Sequence, residues 1–420
     1  MQLHSPILYT SIWKYHKANI LNNLNSMKSK NFFKSGYVNS YQITFSVLVA
    51  LCFIFSCNLQ KDPKTIIFNP LNVIEGEVFL SKFADDIIYI PLDNEILFQH
   101  PNRIITTNNQ IFIATFPAGI LSYDYKGTFI NRIGSRGRGP GEYRSGMYFT
   151  FDSSEELIYI YDNKRILVYN TSGNYINNIL VNEPEYVGDI CFFEGMLFLA
   201  GGPRHDYDWV VYDTSGNLIS RKNNELPRFQ SGKGSSMGFS LSQEGLFYWN
   251  SYNDTIFLIK DESYEPSMYF APGDFRLPFA DYPREDFGKY FEMVTKVTTD
   301  NYIFLTYLLN EVIHTSYIDK NNGKYYLIGS GTDMSSFTRP GILNDIDNGP
   351  AFPIFYNTMN NEKEYLIGWI HPYRLKAHVE SEAFRNSTPK FPEKKKELEK
   401  LAASLDENDN PVLMLVKLKD

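Results

Sequence analysis

An apolar run that ends in Tyr, turns on Asp or Asn and closes on Gly recurs along this chain, and few architectures can accommodate it. It reads Tyr123-Asp124-Tyr125-Lys126-Gly127, then Tyr169-Asn170-Thr171-Ser172-Gly173, then Tyr212-Asp213-Thr214-Ser215-Gly216. Weaker copies follow at Thr255 to Asp261 and at His314 to Asp319, the latter with Gly323. The markers Tyr123, Tyr169, Tyr212, Leu258 and Tyr317 are 46, 43, 46 and 59 residues apart. Each copy is a β-hairpin, and a period of this size with four short strands per unit predicts the blades of an all-β propeller.

A chain of 420 residues could be two or three ordinary domains. The repeat instead predicts one unit, and the 30 Tyr and 32 Phe suit blades that stack through wide apolar side chains. Residues 43–55 form an apolar run too short to span a bilayer comfortably, preceded by Lys28, Lys30 and Lys34 and followed by Ser56-Cys57. That is the pattern of a signal peptide. Ile54-Phe55-Ser56-Cys57 resembles a bacterial lipobox, which makes Cys57 the expected lipidated first residue of the mature protein, although Phe55 departs from the small or aliphatic residue usual there. Met27 is the expected true start, since the charged segment begins directly after it. Of the three Cys, Cys52 and Cys57 lie in the signal region, which leaves Cys191 free and no intramolecular disulfide. The mature chain carries 35 basic against 48 acidic residues, a net charge of −13. An acidic surface argues against nucleic-acid backbones and anionic headgroups as partners.

The expected organisation is an extension and signal peptide over 1–57, a tether over 58–72 and a six-bladed propeller over 73–420. Five blades are read from the repeats. The sixth is composite, with strands at Ile354 to Tyr356, Glu364 to Ile370 and Val412 to Leu418. A propeller must close its ring or leave unpaired edges, so the N-terminal strand Ile87 to Leu92 is predicted to pair with Val412 to Leu418. Leu398, Leu401, Ala402 and Leu405 follow Pro392-Glu393 at helical spacing and predict a helix inserted in the last blade. Lys394, Lys395 and Lys396 fall on its solvated face.

The segment Gly134-Ser135-Arg136-Gly137-Arg138-Gly139-Pro140-Gly141-Glu142-Tyr143 resembles the inter-blade turn of NHL-type repeats. Taken with Ile90-Pro91-Leu92, Asn344 to Gly349 and Asp409-Asn410-Pro411-Val412, the chain from Val73 onward is similar to the six-bladed β-propeller lipoproteins of Gram-negative gut-type bacteria. That resemblance implies a fold and an envelope location, with no established catalytic residues.

Candidate site residues sit in the connectors. Arg136 and Arg138 could hold a carboxylate, a sulfate or sugar hydroxyls with fork-shaped donors, and Glu142 lies beside them. The plainer reading is a tight connector whose Arg and Glu pair locally. Asn344, Asp345, Asp347 and Asn348 could ligate a Ca²⁺, although their spacing departs from an EF-hand loop and lacks its closing Glu; the plainer reading is a set of Asx turns. His205 beside Asp206 and Asp208 could be a base or a metal ligand, without a partner His at ligand spacing. Gly234 to Gly238 matches G-x-S-x-G, but a strand is expected after it where the hydrolase elbow needs a helix. By the repeat, Arg136, Arg138, Glu142, Asp345 and Asp347 should share one face around the channel mouth.

These features favour a non-enzymatic, lipid-anchored envelope protein at the outer membrane, periplasmic or surface-facing. It would bind an unknown small molecule, a glycan or an envelope protein, with no cofactor beyond that candidate Ca²⁺. The rivals are a metal-dependent lyase or lactonase-like hydrolase working in the channel, by analogy of fold alone, and a structural subunit of a surface assembly. The anchor is testable directly: Cys57→Ala should leave the precursor unprocessed or move the protein from the membrane fraction to the soluble one. Unchanged size and unchanged membrane extraction would reject lipidation.

Overall fold

The computed structural model describes residues 65–419 apart from 184–186, 203–204, 228–235, 281, 287, 333–338 and 361–362. Six antiparallel sheets follow one another along the chain, each with its first strand innermost. Blade I comprises Arg103–Thr106, Ile111–Thr115, Gly119–Tyr123 and Phe129–Ile133, and blade II Phe149–Asp152, Leu157–Tyr161, Arg165–Asn170 and Tyr175–Leu180. Blade III runs through Asp189–Phe193, Met196–Ala200, Tyr207–Asp213 and Leu218–Asn223. Blade IV runs through Met237–Ser242, Gly245–Asn250, Thr255–Lys260 and Ser263–Phe270, and blade V through Glu292–Thr298, Tyr302–Leu309, Val312–Asp319 and Lys324–Gly331. Blade VI takes Tyr356–Asn360, Lys363–Ile370 and Val412–Lys417 from the C-terminal part of the chain.

Two short strands lie ahead of blade I: β1 (Ile66–Phe68) and β2 (Ile88–Pro91). As expected, β2 is the outermost strand of blade VI, antiparallel to its third strand, with Ile88 opposite Leu415 and Pro91 opposite Val412. Pro91 suits this position because the ladder there needs no donor on its outer side. Within the segment expected to be a tether, β1 adds a fifth, parallel strand to blade IV, with Ile66 opposite Met268 and Phe68 opposite Phe270. Between the two strands the chain bridges Ile74 to Tyr326 of blade V and Phe79 to Leu343. Residues 65–92 therefore form a belt around the rim of three consecutive blades.

Side chains alternate across a strand, so consecutive residues of a middle strand enter opposite seams. Tyr248 packs with Trp209 between blades III and IV, while its neighbour Phe247 packs with Leu305 between IV and V. Phe304 faces blade VI with Tyr317 and Leu366, whereas Leu305 faces blade IV. Both faces of such strands are covered, so they read as largely apolar runs, with Ile111–Thr115 and Gly245–Asn250 buried at every position. Each of the six seams holds one apolar cluster.

The expected helix is present as Pro392–Ser404 (α3), with Leu398 and Ala402 buried, and two shorter helices precede it, Pro372–Glu380 (α1) and Glu382–Asn386 (α2). Proline opens α1 and α3, where a missing N–H costs nothing. Leu375, Phe384 and Leu398 form a cluster with Val412 and Tyr89, so the three helices cover the outer side of blade VI. Among the described residues no helix is long and apolar enough to cross a membrane.

The belt locks in through Phe83, which is 1 % exposed and meets Tyr302, Phe304 and Tyr317 edge-on at centroid distances of 4.9–5.5 Å. Phe83→Ala should cost about 3–5 kcal/mol by cavity formation. Deleting the chain through Leu92 should abolish cooperative melting, since it uncovers several apolar side chains worth roughly 1.5–3 kcal/mol each against a typical stability of about 5–15 kcal/mol. A calorimetric scan in which the truncated protein melts unchanged would refute closure by the belt.

Candidate ligand channel

The six innermost strands face one another around a central cavity of about 410 Å³. Every blade contributes to its wall, which combines the rings of Phe151, Phe192, Phe239 and Trp249 with the hydroxyls of Thr106, Thr150, Ser240 and Thr358. The polar groups are cross-linked between blades. Thr106 Oγ1 of blade I donates to Thr358 Oγ1 of blade VI at 2.6 Å, and Thr298 N of blade V donates to Ser240 Oγ of blade IV at 3.1 Å. Asn357 Nδ2 reaches the carbonyls of Leu241 and Thr298, each at 2.9 Å.

At the end where the inner strands begin, Asp189 of blade III ties three blades together. One carboxylate oxygen pairs with Arg103 Nη1 of blade I, and the other accepts from Phe239 N of blade IV at 2.8 Å. Arg103 also donates through Nη2 to Ile190 O at 2.9 Å, and Tyr356 OH of blade VI donates to Asn102 O at 2.6 Å. Beside this knot, burial and the Asp189 carboxylate push the Cys191 thiol up to about 12, so it is no nucleophile at neutral pH. Lys296 of blade V, 4 % exposed, donates to Thr298 Oγ1 and lies 3.8 Å from the centroid of Phe247. Burial, with Lys320 nearby, holds its ammonium well below the usual lysine range.

The channel wall thus offers one carboxylate, already committed to Arg103, a suppressed thiol and no histidine among the described residues. Among the described residues neither a nucleophile paired with a carboxylate or histidine base nor a set of hard oxygen ligands is assembled here. Aromatic walls with a few placed hydroxyl, amide and cationic groups are the chemistry of a binding cavity for a small polar molecule.

The residues singled out from the sequence lie elsewhere. In the Gly134 to Tyr143 connector, Arg136 donates to the carbonyls of Arg144 (2.9 Å) and Pro117 (3.0 Å) and stacks on Phe116, while Arg138 is exposed. Glu142 turns back into its own loop and accepts from Gly139 N at 2.8 Å, in the space a side chain at Gly137 would occupy. Tyr143, fully buried, accepts from Ile120 N and donates to Ile133 O, pinning the connector to blade I. The geometry is that of a self-braced turn.

None of Arg136, Arg138, Glu142, Asp345 and Asp347 is among the residues that line the channel. The connector of Asp345 and Asp347 folds back against the belt: Asp345 accepts from Ser81 N (2.9 Å) and Ser81 Oγ (2.5 Å). Asp347, 1 % exposed, accepts from Asn344 Nδ2 (2.6 Å) and Gly349 N (2.7 Å), and burial pushes its carboxyl up. Their oxygens meet protein donors, and among the described residues no group of three His, Cys, Asp or Glu could hold a metal ion. His205 sits half-buried in the hairpin between the middle strands of blade III, its N–H donating to Gly202 O at 2.9 Å. Gly234 and Ser235 of the G-x-S-x-G match, and Cys57, lie outside the described residues; Met237–Ser242 after the match is a strand, as expected. Arg103, Asp189 and Lys296 were missed by sequence reasoning. The signal that could have found them is a charge inside or opening an inner-strand pattern.

A family model described as a domain of unknown function, DUF4934, matches residues 65–417. Among solved structures the chain is similar to a Bacteroides fragilis protein named as a candidate exported protein, with a TM-score of 0.59 and 19 % identity over 83 % of this chain and all of that one. Fainter likenesses include the WD40 repeats of RRP9, with a TM-score of 0.42 and 10 % identity over 80 % of this chain and 98 % of that one. A Thermus thermophilus protein named as a candidate oxidoreductase (glucose dehydrogenase) has a TM-score of 0.40 and 12 % identity over 79 % of this chain and all of that one. None of the curated proteins matches this chain.

The Asp189 knot gives a direct test. Asp189→Ala strands the guanidinium of Arg103 and the Phe239 N–H together, and should cost about 3 kcal/mol in urea unfolding. Asp189→Asn, which keeps an acceptor, should lose visibly less. Equal losses would show that the charge pairing contributes nothing.

Proposed function

Because the chain belongs to the DUF4934 family, whose description assigns no activity, we propose from the geometry that it is a non-catalytic ligand-binding propeller of the cell envelope with its central channel as the site. The observation that carries this reading is the cavity of about 410 Å³ walled by all six blades. Its rings offer flat apolar surface, and its hydroxyl, amide and amine groups suit a ligand rich in hydroxyls, such as a short glycan fragment. Binding rather than turnover is favoured by the pairing of Asp189 with Arg103 and by the raised Cys191 thiol. The envelope location draws support from the signal-like N-terminus ending at Cys57, from the resemblance to propeller lipoproteins, and from the printed name of the Bacteroides fragilis neighbour.

The test titrates the full chain against a panel of neutral and acidic oligosaccharides, with Thr295→Trp as the control variant. Thr295 lines the channel, so an indole there fills the cavity. A bound member of the panel should lose affinity at least tenfold in Thr295→Trp while the melting transition is retained. Absence of binding across the panel, or binding indifferent to Thr295→Trp, would overturn the channel as the site.

A further inference from the structure

Beside the channel, across the Phe355 ring that also lines its wall, the connector into blade VI and helix α1 border a second recess of about 240 Å³. Its chemistry is one-sided. Arg339, Arg374, His371 and His378 line it together with Trp369 and Pro353, and no carboxylate stands on its wall among the described residues.

Arg339 is the central group. It is half-buried, lies 4.4 Å from the centroid of Phe355 and donates through Nη1 to Ile354 O at a long 3.3 Å. A guanidinium carries five N–H donors, so most of this one is unspent. Burial lowers it to about 10, and no carboxylate acts on it among the described residues. Trp369, 4 % exposed, has its indole Nε1–H buried without a hydrogen-bond partner among the described residues. His371 stands edge-on to Trp369 at 5.1 Å and stacked on Tyr373 at 5.3 Å. Burial, then the positive charges of Arg374 and His100, hold its imidazole below the usual range. His378 Nε2 is engaged by Asn348 O at 2.9 Å. His371 is also the N-cap of the nine-residue α1 and makes no side-chain cap bond, so the N-terminal end of that helix borders the recess.

Burying a guanidinium without a counter-charge and an indole N–H without an acceptor is costly, and among the described residues no carboxylate relieves either. An incoming oxyanion would relieve both. We propose that this recess binds a small oxyanion, a carboxylate or phosphate group whose oxygens accept from Arg339, with the indole and imidazole rings flanking the body of the ligand. The site is separate from the channel and stands whether or not the channel binds a glycan.

Calorimetric titration of the full chain with inorganic phosphate, with glucuronate and with glucose tests it. At least one anion should bind and glucose should not. Response to phosphate alone, to glucuronate alone or to both each supports the site and states which source of the oxyanion it accepts. Arg339→Lys keeps the charge but loses the fork, and should weaken the anion about tenfold. Trp369→Phe removes the N–H but keeps a ring, and should weaken it by a smaller factor. Thr295→Trp should leave it unchanged, which separates this site from the channel. Melting curves of each variant confirm folding. If neither anion binds, or if binding persists undiminished in folded Arg339→Lys and Trp369→Phe, the proposal is wrong.

Discussion

The hydrogen-bonded ladder between Ile88–Pro91 and Val412–Leu415 is the constraint on which the rest of this structure depends. A ring of blades gains the burial of its last seam only when the ends of the chain meet, and here the closing strand arrives from the N-terminal side. Closure also places the belt. On its way to blade VI the chain must pass blades IV and V, and it pairs with the outer strand of one and bridges to the other. Phe83 then fills the seam between V and VI, where an aromatic cluster surrounds it. The long connector into blade VI is held in the same way, through Asp345 on Ser81 and the Asn344 amide on Tyr89.

Closing the ring brings six inner strands together, and this concentrates polar chemistry at the centre. A strand buried on both sides has few places to satisfy a charge or a hydroxyl except on its neighbours. Asp189 accordingly reaches blades I and IV, and Thr106 reaches Thr358 on the other side of the ring closure. These cross-links hold the channel open at a set width while leaving hydroxyls and rings on its wall. Lys296 is the exception, a buried amine whose partner is a neutral hydroxyl.

The Gly-rich connector shows how composition can suggest a site while geometry consumes it. Gly134 and Gly141 have positive φ values of 60° and 70°, and a Cβ at either would strike an aromatic ring of Tyr169 or Tyr175. The glycines are therefore explained by close approach between blades, and Arg136 and Glu142 by the donors and acceptors of the turn itself. The basic recess under α1 shows the converse. Arg339, Trp369 and His371 carry no shared motif; what sets the recess apart is a guanidinium with one long hydrogen bond near an indole N–H that has no partner among the described residues.

The repeat of Tyr123, Tyr169 and Tyr212 before their Asp or Asn turns, the closing strand, and the helix behind Pro392 were all legible in the sequence, because periodicity and turn chemistry are local properties of the chain. So was the doubtful standing of G-x-S-x-G, since the strand after it could be read directly. The location of Asp345 and Asp347 was not, because their connector leaves the path of the repeat and docks on residues about 260 positions away, a pairing that no local pattern encodes. Nor could the sequence reveal β1 within the expected tether, since three residues pair there only because blade IV offers an edge. Sequence by itself determined the kind of repeat, its number and the means of closure. Only the tertiary structure decided which charges meet, because the approach of Arg103 to Asp189 and the isolation of Arg339 from any described carboxylate arise from the curvature of the ring, a property of all six blades at once.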